Sequence, residues 1–240
     1  VAELVEKHVN INRLLELTKP VATAVVPISA GRHIYKREPS FPIAVACDPA
    51  FNFVYEANIR YLHHLGEVTY FSPLADTSLP DAGFVYLPGG YPELYLAALS
   101  ANRQMLQSIR RYVESGGKLL AECGGMMYLC DEIRDKNGYV YPMAGVLHQS
   151  ATMENMKLRL GYRTLLYNET RLKGHEFHYS RLVEQQNPLP SCAVAYTAKG
   201  VETDTPLYHY KNVWAGYTHL YWADPVGNEW FTKFVIDGNI

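Results

Sequence analysis

The sequence predicts an α/β protein with a mostly parallel central sheet, helices on both faces of that sheet, and a strand-rich C-terminal half. From residue 42 to about residue 138, short apolar runs typical of buried strands alternate with amphipathic stretches typical of helices. Such alternation is characteristic of a parallel sheet covered on both sides. Beyond about residue 138 the candidate elements are almost all strands.

The candidate elements follow one another at short intervals. Residues 1–19 carry apolar side chains at helical spacing until Pro20 and predict a helix. The alternating part predicts strands at 43–48, 67–71, 82–90 and 118–122, and helices at 53–66, 92–117 and 126–133. The later part predicts strands at 139–147, 157–167, 175–183, 192–198 and 213–222, and a helix at 226–236. Prolines and a basic patch in the segment that follows residue 19 predict a linker that ends at residue 41.

Composition and charge argue against several classes of protein. A formal net charge of -2 gives no electrostatic reason to bind nucleic acid or an anionic membrane. No apolar run approaches the ~20 residues that cross a bilayer, and the acidic N-terminal stretch resembles neither a signal nor a transit peptide. The four cysteines contain no C-x-x-C pair, which argues against a zinc site or a disulfide framework. We therefore expect a protein of the reducing cytoplasm, without nucleic-acid or membrane partners.

Cys123 stands where a predicted strand meets a predicted helix, in the run "KLLAECGGMMYL". Its neighbours two residues away, Ala121 and Gly125, are both small, as a sharp nucleophile elbow requires. Such a turn would expose the sulfur, and the following helix N-terminus would favour its thiolate. The alternative is a buried cysteine that only fills a gap in the core.

Two further motifs favour a nucleophile. The loop "YLPGGYPE" places Gly89 and Gly90 at the end of a predicted strand, where their backbone and the N–H of Gly124 could form an oxyanion hole. His219, near the end of a late predicted strand, could act as base and then acid in amide cleavage. Each motif alone has a simpler interpretation, as a strand–helix turn or a structural histidine.

The motif "GHEFHYS" also suggests a metal site through His175, Glu176 and His178. On a strand, however, the two histidines would point to opposite faces, and the sequence nearby supplies no further ligand cluster. We therefore expect no metal there.

Five segments together resemble one known family. They are "LPGGYPELYLAALSANRQM", "GGKLLAECGGMMYL", "LGYR", "GHEFHYS" and "GYTHLYW". They are similar to the class I glutamine amidotransferase domain of the cobyrinic acid a,c-diamide synthase family, and the similarity covers residues 42–240. The resemblance implies a flavodoxin-like class I glutamine amidotransferase fold. Residues 1–19 resemble the tail of that family's ATP-binding synthetase domain, so residues 1–41 are expected to be this tail plus a linker.

The resemblance also implies site residues. Cys123 would be the nucleophile that attacks glutamine, and His219 would raise its nucleophilicity. Gly89, Gly90 and Gly124 would bind glutamine and its oxyanion. Ordinary class I enzymes have His-x-Glu at the base, whereas this chain has His-Leu-Tyr, which leaves the acidic partner open. The candidates that could orient the base or border the site are Glu122, Glu176, His178 and Tyr91.

The ammonia would pass to a synthetase domain that uses ATP and magnesium to amidate the a and c carboxylates of a corrinoid. The chain contains no G-x-x-x-x-G-K-[ST] motif, so no cofactor is expected in it, and ATP and Mg²⁺ are expected in the synthetase domain. Three alternatives remain: the glutaminase part of a nickel-sirohydrochlorin a,c-diamide synthase, a DJ-1/PfpI-like cysteine hydrolase, and a non-enzymatic binding domain. A fused or separate synthetase and a homo-oligomer are both left open.

Overall fold

The computed structural model describes residues 2–18, 41–186 and 188–237, which belong to two compact units, Val1–Glu38 and Pro39–Ile240. The first unit contains α1 (Ala2–His8) and α2 (Ile11–Leu17). The single helix predicted over residues 1–19 is therefore interrupted. Asn10 leaves the helical conformation, and its side chain caps α2 by accepting a hydrogen bond from the Arg13 backbone N–H at 2.9 Å.

The second unit contains five further α-helices, a 3₁₀ turn and a π-helical turn. The helices are α3 (Glu56–Leu65), α4 (Leu96–Ala101), α5 (Arg103–Glu114), α6 (Gly124–Leu129) and α7 (Pro225–Thr232), with the 3₁₀ turn at Pro92–Leu94 and the π turn at Lys233–Asp237. The strands are β1 (Phe41–Ala46), β2 (Gly66–Phe71), β3 (Phe84–Leu87), β4 (Lys118–Glu122), β5 (Glu132–Arg134), β6 (Val140–Pro142), β7 (Ser150–Thr152), β8 (Arg159–Tyr167), β9 (Thr170–His178), β10 (Arg181–Leu182), β11 (Val194–Thr197), β12 (Glu202–Thr203), β13 (Leu207–Tyr210), β14 (Val213–Gly216) and β15 (His219–Leu220).

The central sheet has the strand order β13-β14-β4-β3-β1-β2. Five strands are parallel, and only the edge strand β13 runs antiparallel, to β14. Alternate residues of β1 belong to two separate apolar clusters. Leu99 and Ile109 of α4 and α5 lie in one cluster, and Leu62 and Phe231 of α3 and α7 lie in the other. The predicted mostly parallel sheet with helices on both faces is confirmed.

The strand-rich second half is also confirmed, as two further sheets with the orders β10-β7-β5-β6 and β12-β11-β8-β9-β15. The strand predicted over residues 213–222 is in fact two strands in different sheets. β14 pairs with β4 in the central sheet, whereas β15 pairs with β9. The helix predicted over residues 126–133 ends at Leu129, and β5 follows it.

The long helix predicted over residues 92–117 is divided by Asn102. Its side chain accepts a hydrogen bond from the Met105 N–H, capping α5, and donates to the carbonyls of Pro73 and Asp76. Among the described residues, no helix is long and apolar enough to cross a membrane.

Candidate active site

Cys123 occupies a sharp turn between β4 and α6. Its backbone has φ 48° and ψ -107°, a conformation that few residues other than glycine adopt. Its N–H donates to the Gly216 carbonyl at 2.7 Å, so β14 holds the turn in place. A Cβ atom added to Gly125 would lie 2.1 Å from the Leu87 carbonyl oxygen. The geometry of a nucleophile elbow, with backbone packed close against its flank, is therefore present.

The expectation of an exposed sulfur is wrong. Cys123 is 5% exposed, and its thiol contacts the Phe177 carbonyl oxygen at 3.8 Å. It lies beside a cavity of about 20 Å³ lined by Gly90, Tyr91, Glu93, Cys123, Met127, Phe177, His178, Tyr179 and Ser180. That volume holds about one water molecule. The sulfur is covered because the segment 177–180, at and beyond the end of β9, lies against the elbow.

Burial and negative neighbours also oppose the thiolate. Burial is the main cause that raises the pKa of Cys123 to about 12, and the carboxyl groups of Glu93, Glu122 and Glu176 contribute to this shift. The Gly124 N–H at the start of α6 acts in the opposite direction and lowers the pKa of the thiol. The predicted effect of the helix N-terminus is thus present but is outweighed.

Two glycine backbones approach each other beside the sulfur. A Cβ atom on Gly124 would lie 3.2 Å from the Gly90 nitrogen, and one on Gly90 would lie 2.1 Å from the Ala50 carbonyl oxygen. Among the described residues, the Gly90 N–H donates to no backbone carbonyl, and the Gly124 N–H faces the Cys123 sulfur. The Gly90 and Gly124 backbones thus lie close together beside the Cys123 elbow.

His219 lies on the other flank of the same glycine loop. Its ring packs directly on Gly89, where an added Cβ would be 2.1 Å from the imidazole Cε1, and its centroid is 4.3 Å from that of Phe53. The ring is buried, and Nδ1 has no hydrogen-bond partner among the described residues. Burial is the main cause that lowers the pKa of His219 to about 3, and the nearby rings of His175 and His178 contribute to this shift. The imidazole is therefore neutral, as a proton acceptor must be.

His219 and the Cys123 elbow contact neighbouring residues of the Gly89–Gly90 loop. His219 packs on Gly89, and Gly124, which follows Cys123, packs on Gly90. In this geometry the thiol's hydrogen bond goes to Phe177, and no hydrogen bond between Cys123 and His219 occurs in the described part of the chain.

Glu122 supports the strand that carries His219 without touching the imidazole nitrogens. Its carboxyl group accepts hydrogen bonds from the Leu220 N–H at 3.0 Å, the Tyr86 hydroxyl at 2.7 Å and the Trp222 indole at 3.4 Å. Burial raises the pKa of Glu122 to about 7, although these three hydrogen bonds oppose the shift. Glu122 thus fixes the backbone next to His219.

Glu176 binds a different histidine. It lies 2.7 Å from His178 Nε2, accepts a hydrogen bond from the Thr205 hydroxyl at 2.9 Å, and forms an ion pair with Arg163. Burial alone would raise the pKa of Glu176, but the hydrogen bonds from His178 and Thr205, together with the charges of His178 and Arg163, lower it overall. His175 lies on the opposite face of β9, half-buried. Within residues 2–18, 41–186 and 188–237, no three His, Cys, Asp or Glu side chains are grouped to hold a metal ion.

Sequence reasoning identified Tyr91 and His178 as bordering the site, and both line the cavity. It missed the functional positions of Glu93, Phe177 and Phe53. Glu93 belongs to the quoted "YLPGGYPE" motif, but nothing in that motif indicates that its side chain would line the cavity. No sequence signal indicates that Phe53 would pack on His219, since they are far apart in the chain.

The chain is similar to a known domain family and to curated proteins of several organisms. The profile of the CobB/CobQ-like glutamine amidotransferase domain matches residues 42–226. The hydrogenobyrinate a,c-diamide synthase of Pseudomonas aeruginosa is 40% identical over 185 residues, which cover 75% of this chain and 41% of that protein. The cobyrinate a,c-diamide synthase of Clostridium acetobutylicum is 36% identical over 245 residues, which cover 98% of this chain and 53% of that protein. The chain thus spans about half the length of these curated relatives.

Solved structures support the fold. A crystal structure of a glutamine amidotransferase matches with a TM-score of 0.53 at 17% identity, over 80% of this chain and 98% of that one. At this identity the match establishes the class I glutamine amidotransferase fold alone. Together with the elbow, the glycine loop and the profile match, it leads to one assignment. The chain belongs to the family of CobB/CobQ-like glutamine amidotransferase domains.

Proposed function

We propose that this chain is the glutamine-hydrolysing part of a cobyrinate-type a,c-diamide synthase. The observation that carries the proposal is the convergence of the Gly90 and Gly124 backbones beside Cys123 at its elbow. Two backbone donors next to a nucleophile are what a tetrahedral intermediate with a charged oxygen requires. The names of the two relatives supply the acceptor: a corrinoid with free a and c carboxylates.

The reaction takes place in two halves. His219 accepts the proton of the Cys123 thiol, and the sulfur attacks the side-chain carbonyl carbon of glutamine. The carbon–nitrogen bond breaks, the nitrogen takes the proton back from His219, and ammonia leaves a glutamyl thioester. Water then attacks the thioester, its proton passes through His219 to the sulfur, and glutamate departs. Gly90 and Gly124 hold the negative oxygen in both halves.

Glutamine binding requires the site to open. A cavity of about 20 Å³ is too small for glutamine, and the residues beside the sulfur are Tyr91 and the segment 177–180. Movement of these residues would also bring His219 into contact with the thiol, because the Gly89–Gly90 loop is the wall that both share. The alignment of the two reacting side chains is therefore expected to improve when glutamine binds.

The remaining half of the enzyme supplies the acceptor chemistry. The ammonia would pass to an ATP- and Mg²⁺-dependent synthetase part, fused or separate, that activates the corrinoid carboxylates. Residues 1–41 would be the end of that part plus a linker. The match to the C. acetobutylicum protein supports this, because it extends over 98% of this chain, beyond the glutaminase profile. All four cysteines are free, which suits the reducing cytoplasm that we expect for this reaction.

The first test is glutamine hydrolysis by the chain and by the complete enzyme that contains it. Cys123→Ser and Cys123→Ala should reduce glutamate release roughly 1,000-fold or more, since the nucleophile is lost. Cys47→Ser, which replaces an exposed free cysteine just after β1, is the matched control and should retain wild-type turnover.

In the complete enzyme, with ATP, Mg²⁺ and corrinoid present, the Cys123 variants should still amidate the corrinoid from added ammonium salt but not from glutamine. Wild-type glutamate release by the Cys123 variants would contradict the proposal. Cys123-dependent cleavage of peptides but not of glutamine would instead support a DJ-1/PfpI-like hydrolase.

A further inference from the structure

A buried polar cluster lies behind the Cys123 cavity. It consists of Arg163, Glu176, His178 and Thr205, with Glu176 at its centre. Glu176 is 1% exposed and His178 is 6% exposed. Buried ionisable groups of this kind persist only when their charges and hydrogen bonds are satisfied. The hydrogen bonds therefore reveal the protonation state.

The contacts of His178 require two protons on its ring. Nδ1 lies 2.8 Å from the Ser180 carbonyl oxygen, which can only accept, so Nδ1 must carry a proton. Nε2 lies 2.7 Å from the Glu176 carboxylate. Glu176 is ionised, because Arg163 pairs with it, Thr205 donates to it, and its pKa is lowered. Nε2 must then also donate, and a ring with two N–H groups is an imidazolium.

Two other contacts suit a positive ring. His178 stacks on Tyr217 with centroids 3.7 Å apart and an interplanar angle of 7°, and the face of an aromatic ring attracts cations. Arg163 neutralises Glu176, so the cluster of Arg163, Glu176 and His178 has a net charge of +1 rather than zero.

His178 lines the same small cavity as Cys123. The other charged groups that face the sulfur are the carboxyl groups of Glu93, Glu122 and Glu176, which all disfavour a thiolate. Among the cavity-lining residues that the structure describes, His178 is the basic one. His219 cannot take this role, because its ring is neutral.

We propose that Glu176 holds His178 as a fixed imidazolium in the wall of the cavity, and that this charge stabilises the thiolate of Cys123. His178 would be a positioning residue that acts on Cys123 through its positive charge. It exchanges no proton during the cycle, whereas the thiol proton moves to His219. This inference deepens the proposed glutaminase function and rests on it for its biological meaning. Its physical content, a permanent cation that lowers the pKa of the thiol, can be measured without glutamine.

The first measurement is nitrogen NMR of the whole chain labelled with ¹⁵N-histidine. At pH 7, wild type should show one histidine, absent from the spectrum of His178→Gln, with both ring nitrogens protonated. In Glu176→Gln the same histidine should lose one of these protons, because its anionic partner is gone. A His178 ring with one unprotonated nitrogen in wild type at pH 7 would overturn the proposal. If His178→Gln fails to fold, the comparison of wild type with Glu176→Gln still provides the test.

The second measurement is the pH dependence of Cys123 alkylation by iodoacetamide, followed by peptide mass spectrometry in a Cys47→Ser background. His178→Gln should raise the apparent pKa of Cys123 by roughly one unit and slow its alkylation at pH 7 roughly tenfold. His63→Gln removes an exposed imidazole of α3 and is the control, with a profile close to wild type. Superimposable profiles for His178→Gln and wild type would overturn the proposal.

The two proposals can fail separately. A chain with the predicted alkylation profile but no glutamine hydrolysis would retain the imidazolium and reject the glutaminase function. A chain that hydrolyses glutamine with a wild-type alkylation profile in His178→Gln would do the reverse.

Discussion

Gly89 leaves room for the ring of His219 because it has no side chain. The ring of His219 occupies the place of the missing Cβ, 2.1 Å from its ideal position. The next residue, Gly90, approaches Gly124 in the same way. Two adjacent glycines therefore set the spacing between the base and the elbow. This explains why the loop needs both, rather than one flexible residue in a turn.

We expect Gly89→Ala to reduce glutamine turnover roughly 100-fold, because the new methyl group must displace His219 and small displacements of reacting groups are costly. The chain should remain folded, since the ring can move toward Phe53. Steady-state kinetics and circular dichroism would test this. Gly200→Ala is the control: its glycine has φ 77° but nothing within 4 Å of an added Cβ, so it should affect stability slightly and turnover not at all. Equal turnover by Gly89→Ala and wild type would show that His219 has no role.

The elbow itself was predictable from residues, but its burial was not. Ala121 and Gly125 mark a close flank in the local sequence, and the structure has that flank. The cover over the sulfur comes from Phe177 and its neighbours, more than fifty residues away in the chain. Local pattern cannot predict a contact of that separation, so the sequence predicted exposure where the structure has burial.

At the scale of elements, the division between β14 and β15 creates the site. β14 stays in the central sheet beside β4 and supplies the Gly216 carbonyl that holds the elbow. Residues 217 and 218 then carry the chain away, so that β15 pairs with β9 in another sheet. The carboxyl group of Glu122, the last residue of β4, forms a bridge between the two sheets. It accepts hydrogen bonds from Leu220 of β15 and from Trp222. The single strand predicted over 213–222 does not reveal this change of sheet.

This bridge makes stability depend on pH. The pKa of Glu122 is about 7 in the folded chain, raised by burial from its ordinary value of 4.5. Between these pH values the folded state holds a proton that the unfolded chain has released. Raising the pH from 4.5 to 7 should therefore lower the free energy of unfolding, by up to roughly 3 kcal/mol from this group.

Glu122→Gln keeps a hydrogen-bonding side chain but does not titrate. Its free energy of unfolding should therefore change less between pH 4.5 and 7 than that of wild type, as measured by urea denaturation in a series of buffers. The Glu202→Gln substitution, at an exposed position on β12, is a control that should leave the wild-type pH dependence in place. Parallel curves for Glu122→Gln and wild type would contradict the prediction.

At the scale of the whole molecule, the apolar clusters found in the described part of the chain lie in the second unit. The buried residues of its two clusters run from Ile43 to Val235. α1 and α2 contain no buried residue, and they expose Leu4, Val5, Leu14, Leu15 and Leu17. Within the described residues, the two apolar clusters therefore contain no side chain of these two helices.

We accordingly expect a chain truncated to residues 39–240 to fold, with a thermal midpoint close to that of the 240-residue chain. Differential scanning calorimetry would measure this, and glutamine hydrolysis by the truncated chain would report on its site. A large fall in the midpoint would show that residues 1–38 contribute to the core.

The sequence by itself determined the parallel sheet with helices on both faces and the elbow at Cys123, because each depends on spacing within short segments, and the resemblance of five short segments identified the family. Only the tertiary structure decided that the sulfur is covered, that β15 leaves the central sheet, and that Glu176 binds His178 instead of His219. Those outcomes depend on which distant segments meet, and on whether burial or hydrogen bonding dominates at each charged group. Neither can be derived from the order of residues along one strand or helix.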